Sequence, residues 1–163
     1  MVDSVEYPGF EGDERTQLRA WLEFNRDACI RKAEGVTEEQ ARVRPGPSKT
    51  SLIGVLNHLT HVEHWWFHMC FAGLEPSIHT FEDDGEYDVG DEITLDDVIA
   101  KYRKLITDSN DIEAQATSLE QRAHHPMYQP TLRWIMVHMV EETARHAGHL
   151  DITRELIDGA TGR

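Results

Sequence analysis

Residues 132–157 of this 163-residue chain form one unbroken segment in which apolar side chains recur every three or four positions. This spacing predicts a long amphipathic α-helix, and Gly159 just beyond it is a typical residue for a helix C-terminus. The same periodicity marks three earlier segments, at about 13–35, 52–72 and 94–116. No segment shows the alternation of apolar and polar residues that a half-buried strand requires. The sequence therefore predicts an all-α fold in which residues 1–163 form a single domain, an antiparallel four-helix bundle.

The connections between these helices carry signals of their own. Ser51 and Thr94 stand where the second and third helices begin, and both are favourable N-cap residues. Residues 37–51 contain two prolines and are predicted to be a loop. Residues 73–93 are acidic and punctuated by glycine and proline, which predicts a long connection between the second and third helices. That connection is either a solvated surface loop or a lid over a site, because loops of this length are often functional.

The chain is strongly acidic, with 30 Asp and Glu against 16 Lys and Arg and a formal net charge of −14. Such a field repels phosphate groups, so the sequence argues against binding to nucleic acid or to an anionic membrane surface. No apolar run approaches the roughly 20 residues of a membrane span, and residues 1–17 do not resemble a signal peptide. Cys29 and Cys70 lie among apolar neighbours and are predicted to be reduced core thiols. We therefore expect a cytoplasmic protein.

The fourth helix carries two polar residues on its apolar face. At about 100° per residue, one stripe of the helix contains Ile135, Met139, Glu142, His146, Leu150, Thr153 and Ile157. The neighbouring Glu141 points away from that stripe, towards the solvent face. A carboxylate in a core is costly unless it is paired or binds a metal. Glu142 and His146 therefore form either a hydrogen-bonded pair or part of a divalent-metal site that needs a third ligand from another helix.

The second helix supplies candidates for that third ligand, because it contains four histidines, His58, His61, His64 and His68. The helical repeat places His58 at the margin of the apolar face and the other three on the polar side, where we expect them to be exposed. Glu63 falls on the apolar side and is a candidate partner behind the ligands. Two histidines and one glutamate leave an open position, which is typical of a catalytic metal site. The ligand set suits zinc, with nickel and ferrous iron as alternatives.

Two motifs carry a resemblance to a known family, "LIGVLNHLTHVEHWWF" in the second helix and "LRWIMVHMVEETARHAGHLDITRELIDG" in the fourth. Both resemble the DinB-like (damage-inducible) superfamily of metal-binding four-helix bundles. The nearest subgroup is common in actinobacteria and resembles the N-terminal domain of mycothiol-dependent maleylpyruvate isomerase. The resemblance implies one metal ligand from the second helix and two from the fourth, which match His58, Glu142 and His146. Most members have a histidine where Glu142 stands, and the isomerase-like branch has a glutamate there. A homodimer is also implied.

The resemblance implies a metal-dependent thiol S-transferase, in which a metal-bound, mycothiol-like low-molecular-weight thiolate attacks a small electrophile. Trp65 and Trp134 are candidates for lining the cofactor pocket, although plain core aromatics remain the alternative interpretation. Arg145 and His149 flank the ligand stripe and are candidates for contact with substrate or with a ligand, while Arg145 is equally placed to pair with Glu141. Two other functions stay open: a hydrolase that uses metal-bound water with Glu63 as base, and a non-enzymatic metal-binding stress protein.

Overall fold

The computed structural model describes residues 7–46, 50–78 and 84–161. Its α-helices are α1 Glu14–Ala33, α2 Glu38–Ala41, α3 Leu52–Glu63, α4 Leu95–Gln115 and α5 Leu132–Asp158. A π-helical segment, His64–Phe71, continues α3, and a 3-10 turn, Asp84–Tyr87, precedes α4. The described residues contain no β-strand, and the predicted all-α helical bundle is confirmed. Residues 47–49 and 79–83, which belong to the predicted connections, lie outside the described residues.

The ends of the long helices follow the predicted chemistry. Ser51 caps α3 by accepting a hydrogen bond from the backbone N–H of Gly54 at 3.1 Å. Thr94 caps α4 and forms a reciprocal capping box with Asp97. Gly159 ends α5 in the left-handed conformation, with φ of 75°. The short helix α2 lies in the segment that was predicted to be a loop. The sequence did not reveal it because four residues are too few to show helical periodicity.

The second predicted helix is not α-helical throughout, since its last two turns adopt π geometry over His64–Phe71. At the end of this segment the carbonyl groups of Cys70 and Phe71 accept hydrogen bonds from the backbone N–H groups of His125 and His124, at 3.1 and 3.0 Å. The connection between α4 and α5 thus satisfies carbonyls that a regular helix would leave without partners. The close approach requires a glycine at Gly73, where φ is +67° and a Cβ would lie 2.9 Å from the Cβ of His124.

The expectation that His64 is exposed is wrong, because only 2% of the surface of this residue is exposed. The connection after the π segment folds back over the imidazole, and the backbone N–H of Ser77 donates a hydrogen bond to His64 Nε2 at 3.0 Å. Burial, helped by the nearby charges of His68 and Lys101, lowers the pKa of His64 to about 4. His64 is therefore a neutral acceptor that holds the connection against the helix.

The apolar core consists of two clusters separated by a layer of buried polar side chains, which we call the polar belt. The belt is visible along each helix as a polar residue between members of the two clusters: Leu22, Arg26 and Cys29 in α1; Leu59, Glu63 and Phe67 in α3 and its continuation; Met139, Glu142, His146 and Leu150 in α5. Polar groups taken into a core require partners there. The belt therefore concentrates the directed interactions of the bundle at mid-height.

One part of the polar belt is an ion pair between α1 and α3. Arg26 is 1% exposed and donates from Nε and Nη2 to the two carboxylate oxygens of Glu63, each at 2.7 Å. The remaining guanidinium nitrogen donates to Glu23 and Asn110. Glu63 is buried as predicted, and both of its oxygens are committed to Arg26.

Candidate metal centre

The other part of the polar belt brings α3 and α5 together through His58, Glu142 and His146. One potential ligand atom from each residue lies within 4.8 Å of those of the other two. Glu142 Oε1 is 3.1 Å from His146 Nε2 and 3.2 Å from His58 Nε2. The pair on α5 results from helical spacing, because side chains four residues apart project together. The structure thus places side by side the three residues that the sequence singled out.

Glu142 is held as a carboxylate by its neighbours. It is a buried residue at 9% exposure, and His146 is also buried, as the helical stripe predicted. Hydrogen bonds from His146 and His58 hold the pKa of the Glu142 carboxyl well below its usual range, against the opposing effect of burial. The site therefore offers an anionic oxygen and two imidazole nitrogens at neutral pH.

The donor set and its hydrogen bonds fit a divalent cation. Besides facing Glu142, His58 places its Nδ1 3.1 Å from Glu86 Oε1. Carboxylates only accept hydrogen bonds and a neutral imidazole carries one proton, so neutral His58 cannot donate to both glutamates. A divalent cation held by His58 and Glu142 would leave Nδ1 of His58 free to donate to Glu86. Two imidazoles and one carboxylate, with an open side, are a ligand set that zinc, nickel and ferrous iron accept.

Glu86 and Tyr87 are site residues that the sequence analysis missed. Both belong to the turn Asp84–Tyr87, within the acidic 73–93 connection. The Tyr87 ring stacks on the imidazole of His58 with centroids 4.6 Å apart and an interplanar angle of 14°. No periodic pattern marks these residues, because their position depends on how the connection returns to α3. The described part of the connection is therefore a wall of the site.

Arg145 and His149 lie beside the centre. Arg145 Nη1 is 3.6 Å from Glu142 Oε2, and another of its nitrogens pairs with Glu141, so both positions considered for it are realised. The His149 ring packs edge-on against His146, with centroids 5.4 Å apart. A cleft of about 280 Å³ begins at His149 and is otherwise lined by Pro45, Gly46, Thr50, Ile152, Thr153 and Leu156. A largely apolar cleft is thus connected to the centre through the contact between His149 and His146.

Three other candidates from the sequence lie in other surroundings. Trp65 packs against His125 and Tyr128. Trp134 packs against Trp66 and His138, and half of its surface is exposed. It lies about two helical turns before Glu142 on α5. Glu63, as described above, is bound by Arg26. The rings of both tryptophans therefore belong to an aromatic surface near the start of α5.

Comparisons with known proteins point to one family and one fold. A model of the mycothiol-S-transferase family matches residues 17–159, a range that includes all three potential ligands. No curated protein matches the chain. Among solved structures, a conserved protein from Enterococcus faecalis has a TM-score of 0.67 at 12% sequence identity, over 92% of this chain and 100% of its own. At that identity the likeness shows the fold alone. In the described part of the chain, no helix combines the length and apolar content that crossing a bilayer requires.

Proposed function

Since the chain belongs to the mycothiol-S-transferase family, a DinB-like family, we propose that it is a divalent-metal-dependent thiol S-transferase of the cytoplasm. Its cofactors are a divalent metal, zinc first, and a low-molecular-weight, mycothiol-like thiol, and its substrate is a small electrophile. The observation that carries the proposal is the meeting of His58, Glu142 and His146 within reach of one ion. A divalent metal held there would lower the pKa of a coordinated thiol and so keep it as a thiolate.

The charge of the centre supports this chemistry. Glu142 is the one anionic group among the three ligands, so a divalent cation there keeps a net positive charge that favours an anionic sulfur. His58 and His146 contribute nitrogen atoms without adding charge.

The protein's own thiols are unsuited to act as the nucleophile. Cys29 and Cys70 are both fully buried. Burial raises the pKa of Cys29 to about 12, and it also raises the pKa of Cys70. Since the thiolate is the reactive form, neither residue supplies an attacking sulfur near neutral pH. An external thiol is therefore the source of the transferred sulfur.

The cleft beside His149 suits the apolar part of an electrophilic substrate. Ile152 and Leu156 are large apolar residues on its wall, and both are exposed. Arg145 stands at the edge of the centre with half of its side chain in solvent, where an anionic substituent of the substrate would find a cation. These residues bind and orient the substrate, whereas the three ligands hold the metal.

Titration of the cobalt-substituted protein with mycothiol tests the proposal. We expect the thiol to change the visible spectrum and to add a sulfur-to-cobalt absorption that saturates at one thiol per metal. S-methylated mycothiol is the control, because it cannot become a thiolate and is expected to leave the sulfur band absent. A cobalt spectrum that ignores the thiol, or that indicates four protein ligands, would contradict the proposal.

Hydrolysis is the less supported alternative, because its base would have to be a free carboxylate near the centre. Glu63 has both oxygens bound by Arg26 at 2.7 Å. A merely structural metal site is also less supported, because three protein ligands leave an open position.

We further propose that the protein is a homodimer. Near its start, α5 carries two exposed large apolar residues, Trp134 and Val137, each at least half exposed. Exposed apolar surface of this kind is typical of an interaction site. Light scattering at micromolar concentration is expected to give twice the mass of the chain, and a monomer there would refute the dimer.

A further inference from the structure

We propose that Glu86 is a positioning residue of the metal centre, whose carboxylate accepts a hydrogen bond from the Nδ1–H of His58 and thereby turns the Nε2 lone pair towards Glu142 and His146. The inference rests on the proposed metal at this centre but not on the thiol chemistry. It assigns a function to the acidic connection, which supplies this residue from 28 positions beyond the ligand that it orients.

The geometry of His58 between two carboxylates carries the inference. Its Nδ1 is 3.1 Å from Glu86 Oε1, and its Nε2 is 3.2 Å from Glu142 Oε1. The side chains of His58 and Glu86 are only 14% and 16% exposed, so water competes weakly for this bond. Because Glu86 can only accept, Nδ1 must carry the proton, and the Nε2 of neutral His58 is left free to bind a cation. Histidine ligands are commonly fixed in this way by a carboxylate on the far nitrogen.

The turn that carries Glu86 is itself attached to α3. Asn57 Nδ2 donates a hydrogen bond to the backbone carbonyl of Glu86 at 2.7 Å. Tyr87 stacks on the His58 ring from the adjacent position. Gly54 permits the contact, because a Cβ at this position would lie 2.7 Å from the Tyr87 carbonyl oxygen. The backbone of the turn therefore holds Glu86 against His58 independently of the hydrogen bond between their side chains.

The second histidine ligand has no such arrangement. His146 Nδ1 is buried and has no hydrogen-bond partner among the residues that the structure describes. Its ring lies between the imidazoles of His58 and His149, at centroid distances of 4.7 and 5.4 Å. Packing orients His146, whereas a directed hydrogen bond orients His58. The effect of Glu86 should therefore be confined to the ligand from α3.

Zinc affinity of the full chain, measured by competition with a chelator, gives the first test. We expect Glu86→Ala to weaken zinc binding about 10- to 100-fold, the usual cost of losing an outer partner of a ligand. Glu86→Gln should lose less, because the amide oxygen still accepts from Nδ1. Glu75→Ala is the matched control, since it removes one exposed carboxylate from the same acidic connection and should leave the affinity unchanged. Unchanged affinity in Glu86→Ala would overturn the inference.

Imidazole ¹⁵N NMR, recorded with and without zinc, gives a readout that a merely structural contact would not move. The wild type and Glu86→Gln are expected to show His58 protonated at Nδ1, and Glu86→Ala to show that preference lost. A wild type that binds no zinc would sink the proposed function, while a His58 tautomer indifferent to residue 86 would sink this inference. The two failures are therefore distinguishable.

Gly54→Ala tests the positioning through the backbone and leaves the carboxylate in the chain. Its Cβ should displace the Tyr87 carbonyl and move Glu86 away from His58, with zinc affinity lowered in the same direction as in Glu86→Ala. If both changes act through one hydrogen bond, the double variant should bind zinc no more weakly than Glu86→Ala alone. Additive losses would show that Gly54 affects the centre by another route and that the turn does not position Glu86.

Discussion

His58→Ala and Glu142→Ala are each expected to abolish stoichiometric zinc binding. Each removes one of three protein ligands, and Glu142→Ala also removes the negative charge that lies against both imidazoles. The loss should exceed the roughly 10- to 100-fold cost of deleting an outer partner, because a direct bond to the ion is removed. Metal analysis after exhaustive dialysis, together with calorimetric titration of zinc, measures the effect.

His68→Ala and His61→Ala are the matched controls, since they remove histidines from the same stretch of the chain. His68 Nε2 bonds to the backbone carbonyl of Glu75 at 2.9 Å, and its ring stacks on that of His64. Both variants should keep one zinc per chain. Loss of metal in His61→Ala would mean that the assignment of faces on α3 is wrong.

Glu63→Ala is expected to lower the free energy of unfolding by about 3–5 kcal/mol, the usual cost of leaving one partner of a buried ion pair uncompensated. Arg26 would remain almost fully buried, with only Glu23 and Asn110 as acceptors. Urea denaturation followed by circular dichroism measures the change. Zinc stoichiometry of the folded variant should be unaffected, because Glu63 is bound to Arg26.

Two further variants show whether burial is the cause. Lys104→Ala breaks the exposed pair with Asp108 and should change the unfolding free energy by no more than about 1 kcal/mol. The double variant Arg26→Met, Glu63→Leu should recover much of the loss, since apolar replacements of a buried pair are often nearly neutral. A Glu63→Ala variant as stable as Lys104→Ala would show that the ion pair contributes little.

The sequence singled out the three candidate metal ligands that the structure brings together, because they lie on regular helices. α5 is a single α-helix of 27 residues. Because it has no break, the repeat of about 100° per residue gives the correct angular positions of Glu142 and His146, on the buried side. His58 lies in the α-helical part of its segment, before the π geometry begins at His64. The resemblance to the DinB-like superfamily rested on these two helices, and the family match confirms it.

The residues that sequence reasoning missed are placed by contacts between distant parts of the chain. Glu86 lies beside His58 in a turn that Asn57 bonds to α3 and for whose close approach Gly54 leaves room. His64 is covered in part by the connection that follows it, through the hydrogen bond from Ser77. A helical repeat describes one helix at a time, so it carries no information about which loop will cover a polar face.

The proposed metal would make the stability of the bundle depend on the supply of that metal. Arg26 and Glu63 tie α1 to α3 across the polar belt, while His58, Glu142 and His146 join α3 to α5 and are the group that could share a cation. An ion that binds only the folded arrangement adds about 1.4 kcal/mol of stability for each tenfold rise in free metal above its dissociation constant. Resistance to unfolding is therefore also a gauge of metal occupancy, and the loaded and metal-depleted protein would differ in lifetime as well as in chemistry.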